Sequence, residues 1–405
     1  MNTMSSIFFN VQLVLPDRVV PGSVLVENGI IAAVETTDKM NSSFPPSWKA
    51  NKASPPELID GEGKFLSPGF IDIHNHGRLF CDYMDRKDTS METIARNQAE
   101  HGVTGFLAGT SSISWEKSLK ALSFLADYYK KENKHEEAAK GAQYLGIYSE
   151  GSFFSLEKRG AHNPDFLKTS LEKEDLDALF AAAGSALKVV ALSPELKGAE
   201  QWIQFIRNKG IVVAAAHTNA DYHEAMAGIE AGITLATHTF NGMKSLSHQE
   251  PGILGAVLND NRVYCELIAD CIHLDPVILS LVYKLKGPDR IILISDSVLA
   301  NGVPDGNYEY EGRKVTIRDG AVRLEDGRLA GSTLSLDKAV YNMVKYAGIE
   351  LMHAVKAASL NPAGIIGLEH KKGSIEPGKD ADLVIFNEDI KINKVFIGGF
   401  PLKKE

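Results

Sequence analysis

The sequence predicts an α/β fold: a (β/α)8 TIM-like barrel with a small β-sandwich domain formed from both chain termini. Three observations predict it. From residue 70 onward, short aliphatic runs alternate with segments of helical period, eight times over. The runs are almost continuously apolar, as in a parallel sheet covered on both faces. Both ends of the chain instead alternate apolar and polar residues, the pattern of half-buried strands.

The predicted barrel strands are 70–76, 103–110, 144–150, 187–192, 211–217, 233–238, 263–270 and 290–296. Helix-like stretches at 91–101, 115–131, 171–183, 200–209 and 221–231 lie between them. Eight such units favour a closed barrel over an open sheet. Near the start, residues 23–34 alternate around Asn28-Gly29, a hairpin signal, and strand-like runs recur at 382–386 and 394–397. Residues 1–62 and 372–405 are therefore expected to pair into the small domain, and 63–371 to form the barrel. Residues 37–57, with Pro45-Pro46 and Pro55-Pro56, read as a polar surface loop.

Composition narrows the partners. With 44% hydrophobic and 23% charged residues, the chain is neither disordered nor membrane-like. A net charge of −9 argues against nucleic acid, whose phosphates select basic faces. No stretch approaches the ~20 apolar residues of a membrane span, and the N-terminal apolar run lacks the basic region and cleavage site of a signal peptide. Cys81, Cys265 and Cys271 have neither a disulfide-framework count nor zinc-finger spacing. A soluble protein of the reducing cytoplasm is expected.

What ends the strands points to chemistry. In such barrels the active site lies at the C-terminal strand ends. Strand 1 ends in His74-Asn75-His76, and residues two apart in a strand face the same way. Strands 3, 5, 6 and 8 end in Glu150, His217, His238 and Asp296. Each alone is a weak signal: a single histidine at a strand end is commonly structural, and Asp296 alone would suit a helix cap. Together, four histidines and two carboxylates from five strands of one barrel form a cup suited to a divalent cation, zinc or iron.

At these residues the sequence resembles the amidohydrolase superfamily and, within it, the N-acetylglucosamine-6-phosphate deacetylases. The resemblance runs over nearly the whole chain. It is carried by Ser67-Pro68-Gly69-Phe70-Ile71-Asp72-Ile73-His74-Asn75-His76-Gly77, by Glu150-Gly151-Ser152-Phe153, and by Lys158-Arg159-Gly160-Ala161-His162-Asn163-Pro164. Further matches are Ala216-His217-Thr218-Asn219-Ala220, Ala236-Thr237-His238-Thr239-Phe240-Asn241-Gly242-Met243, Glu250-Pro251-Gly252 and Leu329-Ala330-Gly331-Ser332-Thr333-Leu334. The resemblance implies a metal held by Glu150, His217 and His238, with His74 and His76 able to hold a second, so one or two per subunit. It implies Asp296 as catalytic acid–base, substrate contacts at His162, Asn241, Gly242 and His273, and a homodimer.

The implied reaction is hydrolysis of an N-acetyl amino-sugar phosphate to acetate and the free amine, with His273 or a metal stabilising the oxyanion. The end of strand 4, Ala191-Leu192-Ser193-Pro194-Glu195, lacks the bridging lysine of other superfamily members, which disfavours hydantoinase-like or urease-like sites. One departure touches specificity. The arginine that usually precedes Glu-Pro-Gly and binds the sugar phosphate is Gln249, with Lys244 and His248 as nearby substitutes. The alternatives are N-acetylgalactosamine 6-phosphate, an unphosphorylated N-acyl amino sugar, or a non-catalytic sugar-phosphate-binding protein.

Overall fold

The computed structural model describes residues 5–38, 44–48, 55–132, 140–310 and 313–403. All eight expected barrel strands form: β1 (Phe70–Asp72), β2 (Val103–Gly109), β3 (Gln143–Ser149), β4 (Leu187–Leu192), β5 (Val212–Ala215), β6 (Ile233–Ala236), β7 (Tyr264–Ile268) and β8 (Ile291–Ile294). They pair in parallel and in chain order. Their side chains are buried on both faces, which explains their continuous apolar character.

The seam between β8 and β1 is closed just beyond the strands. The Asp296 N–H donates to the His74 carbonyl at 2.9 Å, and Ser295 Oγ to Asp72 Oδ2 at 2.6 Å. Burial pushes the Asp72 carboxyl up to about 6 against the opposing pull of these Ser295 bonds.

Seven helices follow strands β1 to β7: α1 (Asp88–Glu100), α2 (Trp115–Glu132), α3 (Lys173–Ala183), α4 (Ala199–Asn208), α5 (Tyr222–Ala231), α6 (Gly252–Asn259) and α7 (Pro276–Lys286). After β8 comes α8 (Leu336–Lys345). Local chemistry fixes several starts. Asp221 and Glu224 form a capping box on α5, and Asp275 caps α7 ahead of Pro276.

The two chain ends build a separate eight-stranded sheet with its own core. The Asn28-Gly29 hairpin joins Val19–Glu27 to Ile30–Thr36, as its sequence predicts. The C-terminal Leu383–Phe386 runs antiparallel to Phe65–Pro68, which in turn lies beside Ser5–Val14. Phe65–Pro68 thus belongs to the terminal sheet although it follows residue 62. Across this sheet the rings of Phe8 and Phe396 meet at 4.8 Å, although two strands separate theirs. At about 4.8 Å per strand a flat sheet would hold them roughly three times farther apart, so the sheet must curl over its core. A bridge between Ile30 and Asp380 helps close the curl.

Of the loop expected at 37–57, residues 39–43 and 49–54 lie outside the described residues. The described remainder runs into the strand Glu57–Asp60, which lies parallel to Ser5–Val14.

One element was not anticipated. Between β8 and α8 the chain forms a four-stranded antiparallel sheet: Gly306–Tyr310, Arg313–Arg318, Ala321–Leu324 and Leu329–Ser332. Val315, Ile317, Val322 and Ala300 give it a small core of its own. The turn signals were in the sequence. Asp319-Gly320 and Asp326-Gly327 each separate two of these strands, and Asp319 has φ +50° and Gly320 φ +80°, as a tight hairpin demands.

Candidate active site

The polar residues expected at the strand ends meet in one buried cluster. Glu150 lies at its centre. Its Oε1 is 3.1 Å from His238 Nε2 and 3.5 Å from His217 Nε2. Its Oε2 is 3.2 Å from His76 Nε2 and 3.6 Å from His74 Nε2. One carboxylate thus faces two histidine pairs, one pair per oxygen. Asp296 joins the first-strand side, with Oδ1 3.2 Å from His76 Nε2. His162 joins the other, its Nε2 3.1 Å from His217 Nε2. Two groups of ligand-type atoms result: His74, His76 and Asp296, and Glu150, His162 and His217.

These atoms fit a divalent cation. His74 Nδ1 is held by Glu266 Oε2 at 2.9 Å, which fixes the ring so that Nε2 points into the cluster, where a cation would take the place of its proton. That Nε2 is buried with no hydrogen-bond partner. The Nε2 atoms of His217 and His238 approach to 3.1 Å, so bare lone pairs would repel unless a proton or a cation lay between them. Nitrogen and carboxylate oxygen donors of this kind suit zinc or iron.

Electrostatics agree. Burial opposes charge here, yet the carboxylates win at His74, His76 and His238. Glu266 and Glu150 hold His74 well above the usual histidine range, and hydrogen bonds to Asp296 and Glu150 push His76 up to about 10. In return, despite burial, the imidazoles hold Glu150 well below the usual carboxylate range and Asp296 down at about 2. Burial and the neighbouring His217 lower His162 to about 3, which keeps its imidazole neutral.

The backbone is bent to deliver these groups. His217, His238 and Asp296 have φ of +43°, +29° and +47°, a region that costs non-glycine residues of order 1–3 kcal/mol each. Their surroundings hold them there. Ser193 Oγ donates to the carbonyls of Ala216 and His217, and the Lys158 carbonyl lies 2.9 Å from His217 Nδ1. The strand-4 end, which lacks a bridging lysine, thus serves as a support for strand 5. Gly242 has φ +61°, and a Cβ there would lie 2.6 Å from His217 Nδ1. Only glycine lets the 240–242 turn pass so close.

The cluster opens into a cavity of about 460 Å³, a size suited to a small metabolite. His162, Asn241, Gly242 and His273 line it together with His76, Glu150, His217, His238 and Asp296. The small sheet forms its other wall through Val315, Val322, Arg323 and Arg328.

Gln249 is the expected site residue that the structure does not bring there. It is exposed on the 244–250 loop and absent from the lining; half-buried Lys244 and exposed His248 are absent from the lining too. Arg78, in the loop after the first strand, is buried and donates to Asn97 and to the Leu334 carbonyl instead of facing the cavity.

Sequence reading passed over three supporting residues. Glu266 lies inside β7, where a lone carboxylate in an apolar run was the available signal; it accepts from His74 Nδ1 and from the His238 N–H. Asp270, three residues before His273, is 2.6 Å from His273 Nδ1. Arg323 lies on the unanticipated sheet.

Comparison with known proteins bears on the chain as a whole. A family model described as "Amidohydrolase family" matches residues 65–401. An N-acetylgalactosamine-6-phosphate deacetylase of Escherichia coli O157:H7 is 35% identical over 374 residues, covering 92% of this chain and 93% of its own. An N-acetylglucosamine-6-phosphate deacetylase of Vibrio furnissii is 35% identical over 373 residues, covering 92% and 88%. Among solved structures, the N-acetylglucosamine-6-phosphate deacetylase of Thermotoga maritima has a TM-score of 0.84 at 32% identity, covering 98% of this chain and 100% of that one. A mutant of the Mycobacterium smegmatis enzyme, solved in complex with N-acetyl-D-glucosamine-6-phosphate, has a TM-score of 0.88 at 26% identity and covers 99% and 100%. Sequence, fold and the clustered strand ends agree, and the chain belongs to the amidohydrolase family.

Proposed function

We propose that this protein is a metal-dependent deacetylase that hydrolyses the N-acetyl amide of N-acetylglucosamine 6-phosphate to glucosamine 6-phosphate and acetate. The observation that carries the reading is Glu150 shared between two histidine pairs, with Asp296 beside them at the floor of a metabolite-sized cavity. In this proposal Glu150, His217 and His238 hold one cation, zinc or iron, and His74 and His76 are available for a second. When bound, the cation supplies Lewis acidity: it polarises a carbonyl and lowers the pKa of water.

The remaining work falls to the chain's own groups. Asp296 is ionised, and as general base it would take a proton from the attacking water and pass it to the departing nitrogen. With Nδ1–H given to Asp270, His273 can donate from Nε2 only as the imidazolium, whose charge Asp270 balances. That donor would stabilise the developing oxyanion. His162, Asn241 and Gly242 would contact the sugar and its acetyl group. Gln249, outside the cavity of its own chain, would reach substrate only from the second subunit of a homodimer, which we also propose, in the cytoplasm.

A second reading, the same chemistry on N-acetylgalactosamine 6-phosphate, is motivated by Gln249 in place of the usual arginine, and the E. coli relative of that name is as similar, at 35% identity, as the Vibrio furnissii one. An acetate-release assay over both sugars, with and without phosphate, tests the proposal alongside elemental analysis of the loaded protein. We expect the highest kcat/KM on N-acetylglucosamine 6-phosphate. Absence of acetate from every sugar with metal-loaded protein would overturn it.

A further inference from the structure

Resting on the amino-sugar phosphate reading above, the geometry points to a specificity residue: we propose that Arg323, on the small sheet over the cavity, binds the substrate's phosphate. A phosphate dianion needs a cation with free donors, and a guanidinium supplies both in a planar fork. The loop that precedes Glu250-Pro251-Gly252 does not supply one to its own cavity. Position 249 is glutamine, exposed and outside the lining, and Lys244 Nζ is 3.6 Å from Glu250.

Among the described residues that line the cavity, Arg323 and Arg328 carry the permanent positive charges. They differ in what already occupies them. Arg328 is neutralised by Asp326, which accepts from Nε at 2.8 Å and from Nη2 at 2.6 Å, while Nη1 donates to the Gly160 carbonyl. It is a clamp between the small sheet and the 158–164 loop. Arg323 spends only Nη1, on the Gly327 carbonyl at 2.9 Å, and has no carboxylate partner among the described residues.

Its backbone is also held in place. Arg323 follows buried Val322 in Ala321–Leu324, a strand paired on both sides, to Arg313–Arg318 and to Leu329–Ser332. The cavity therefore presents ligand-type residues at its floor and, among the residues that line it, Arg323, exposed to solvent with guanidinium donors to spare. A sugar carrying an amide at one end and a phosphate at the other has the matching polarity.

The test uses full-length, metal-loaded protein. The kcat/KM of wild type, Arg323→Gln and Arg323→Lys is measured on N-acetylglucosamine 6-phosphate and on N-acetylglucosamine, with inorganic phosphate as competing inhibitor. Losing a charge-assisted contact predicts that Arg323→Gln cuts the preference for the phosphorylated sugar by about 10- to 100-fold. The loss should appear in KM rather than kcat, and phosphate inhibition should weaken by a similar factor. Arg323→Lys, which keeps the charge but not the fork, should fall between. Arg328→Gln, which loosens the clamp, should lower turnover of both sugars alike. An unchanged preference and unchanged phosphate inhibition in Arg323→Gln would overturn the assignment. Wild-type protein that releases acetate equally well from the unphosphorylated sugar would instead defeat the phosphate reading itself, and the assignment with it.

Discussion

Replacing Glu266 with glutamine removes one buried charge and almost no volume, and it isolates how the strand-1 histidines are prepared for a cation. Glu266 Oε2 accepts from His74 Nδ1 at 2.9 Å and from the His238 N–H at 3.1 Å. Both are hydrogen bonds to one fully buried carboxylate oxygen. Converting each into a neutral one forfeits the difference between roughly 1.5–3 and 0.5–1.5 kcal/mol, about 1–1.5 kcal/mol per bond. The amide can also turn its NH2 toward His74, which then flips tautomer and buries its proton against Glu150. The His74 bond alone predicts about a tenfold loss of cation affinity, and both together about a hundredfold, the usual range for partners that orient metal-bound histidines. Chelator competition followed by elemental analysis measures this directly, with His74→Ala as reference. If Glu266→Gln held its metal as tightly as wild type while His74→Ala did not, Glu266 would not be what sets the His74 tautomer.

Asp296→Asn should leave metal content near wild type and lower kcat for acetate release by about 10²- to 10⁴-fold, the contribution of a positioned general base; a near-wild-type rate would contradict that role. Gly242→Ala places a Cβ 2.6 Å from His217 Nδ1 in a residue at φ +61°, so His217 must shift, and metal content measured after purification should drop at least about tenfold. Cation binding should also be proton-linked. In the chelated protein His76 is raised to about 10 and His74 stands well above its ordinary range, so a cation must displace their protons. Competition titrations should show affinity rising by up to about tenfold per pH unit per displaced proton. The same shifts bear on stability. A raised His76 contributes stability that is complete below about pH 6.5 and lost as pH climbs toward about 10, whereas the lowered Asp296 contributes above about pH 3.8 and is lost as pH falls toward about 2. Chelated protein should therefore melt at lower temperature at pH 9 than at pH 6. A flat melting profile would show that these imidazoles are not protonated in the chelated site.

The sequence by itself determined the barrel and the composition of its site. Parallel strands covered on both faces must be apolar throughout, so a polar residue at a run's end stands out: His74, His76, Glu150, His217, His238 and Asp296 were visible for that reason. Period-two alternation and Asn28-Gly29 likewise exposed the terminal hairpin. What only the tertiary structure decided depends on distance between segments remote in the chain. Glu266 lies 192 residues from His74, and nothing local distinguishes it from an incidental carboxylate in a strand. Gln249 immediately precedes the matching Glu250-Pro251-Gly252, yet its loop carries it outward. The small sheet of residues 306–332 was hidden because its strands are short and its core small, while its turn signals read equally well as loops. Period and turn chemistry are local and survive in a linear string; which carboxylate meets which imidazole is fixed only when the chain closes.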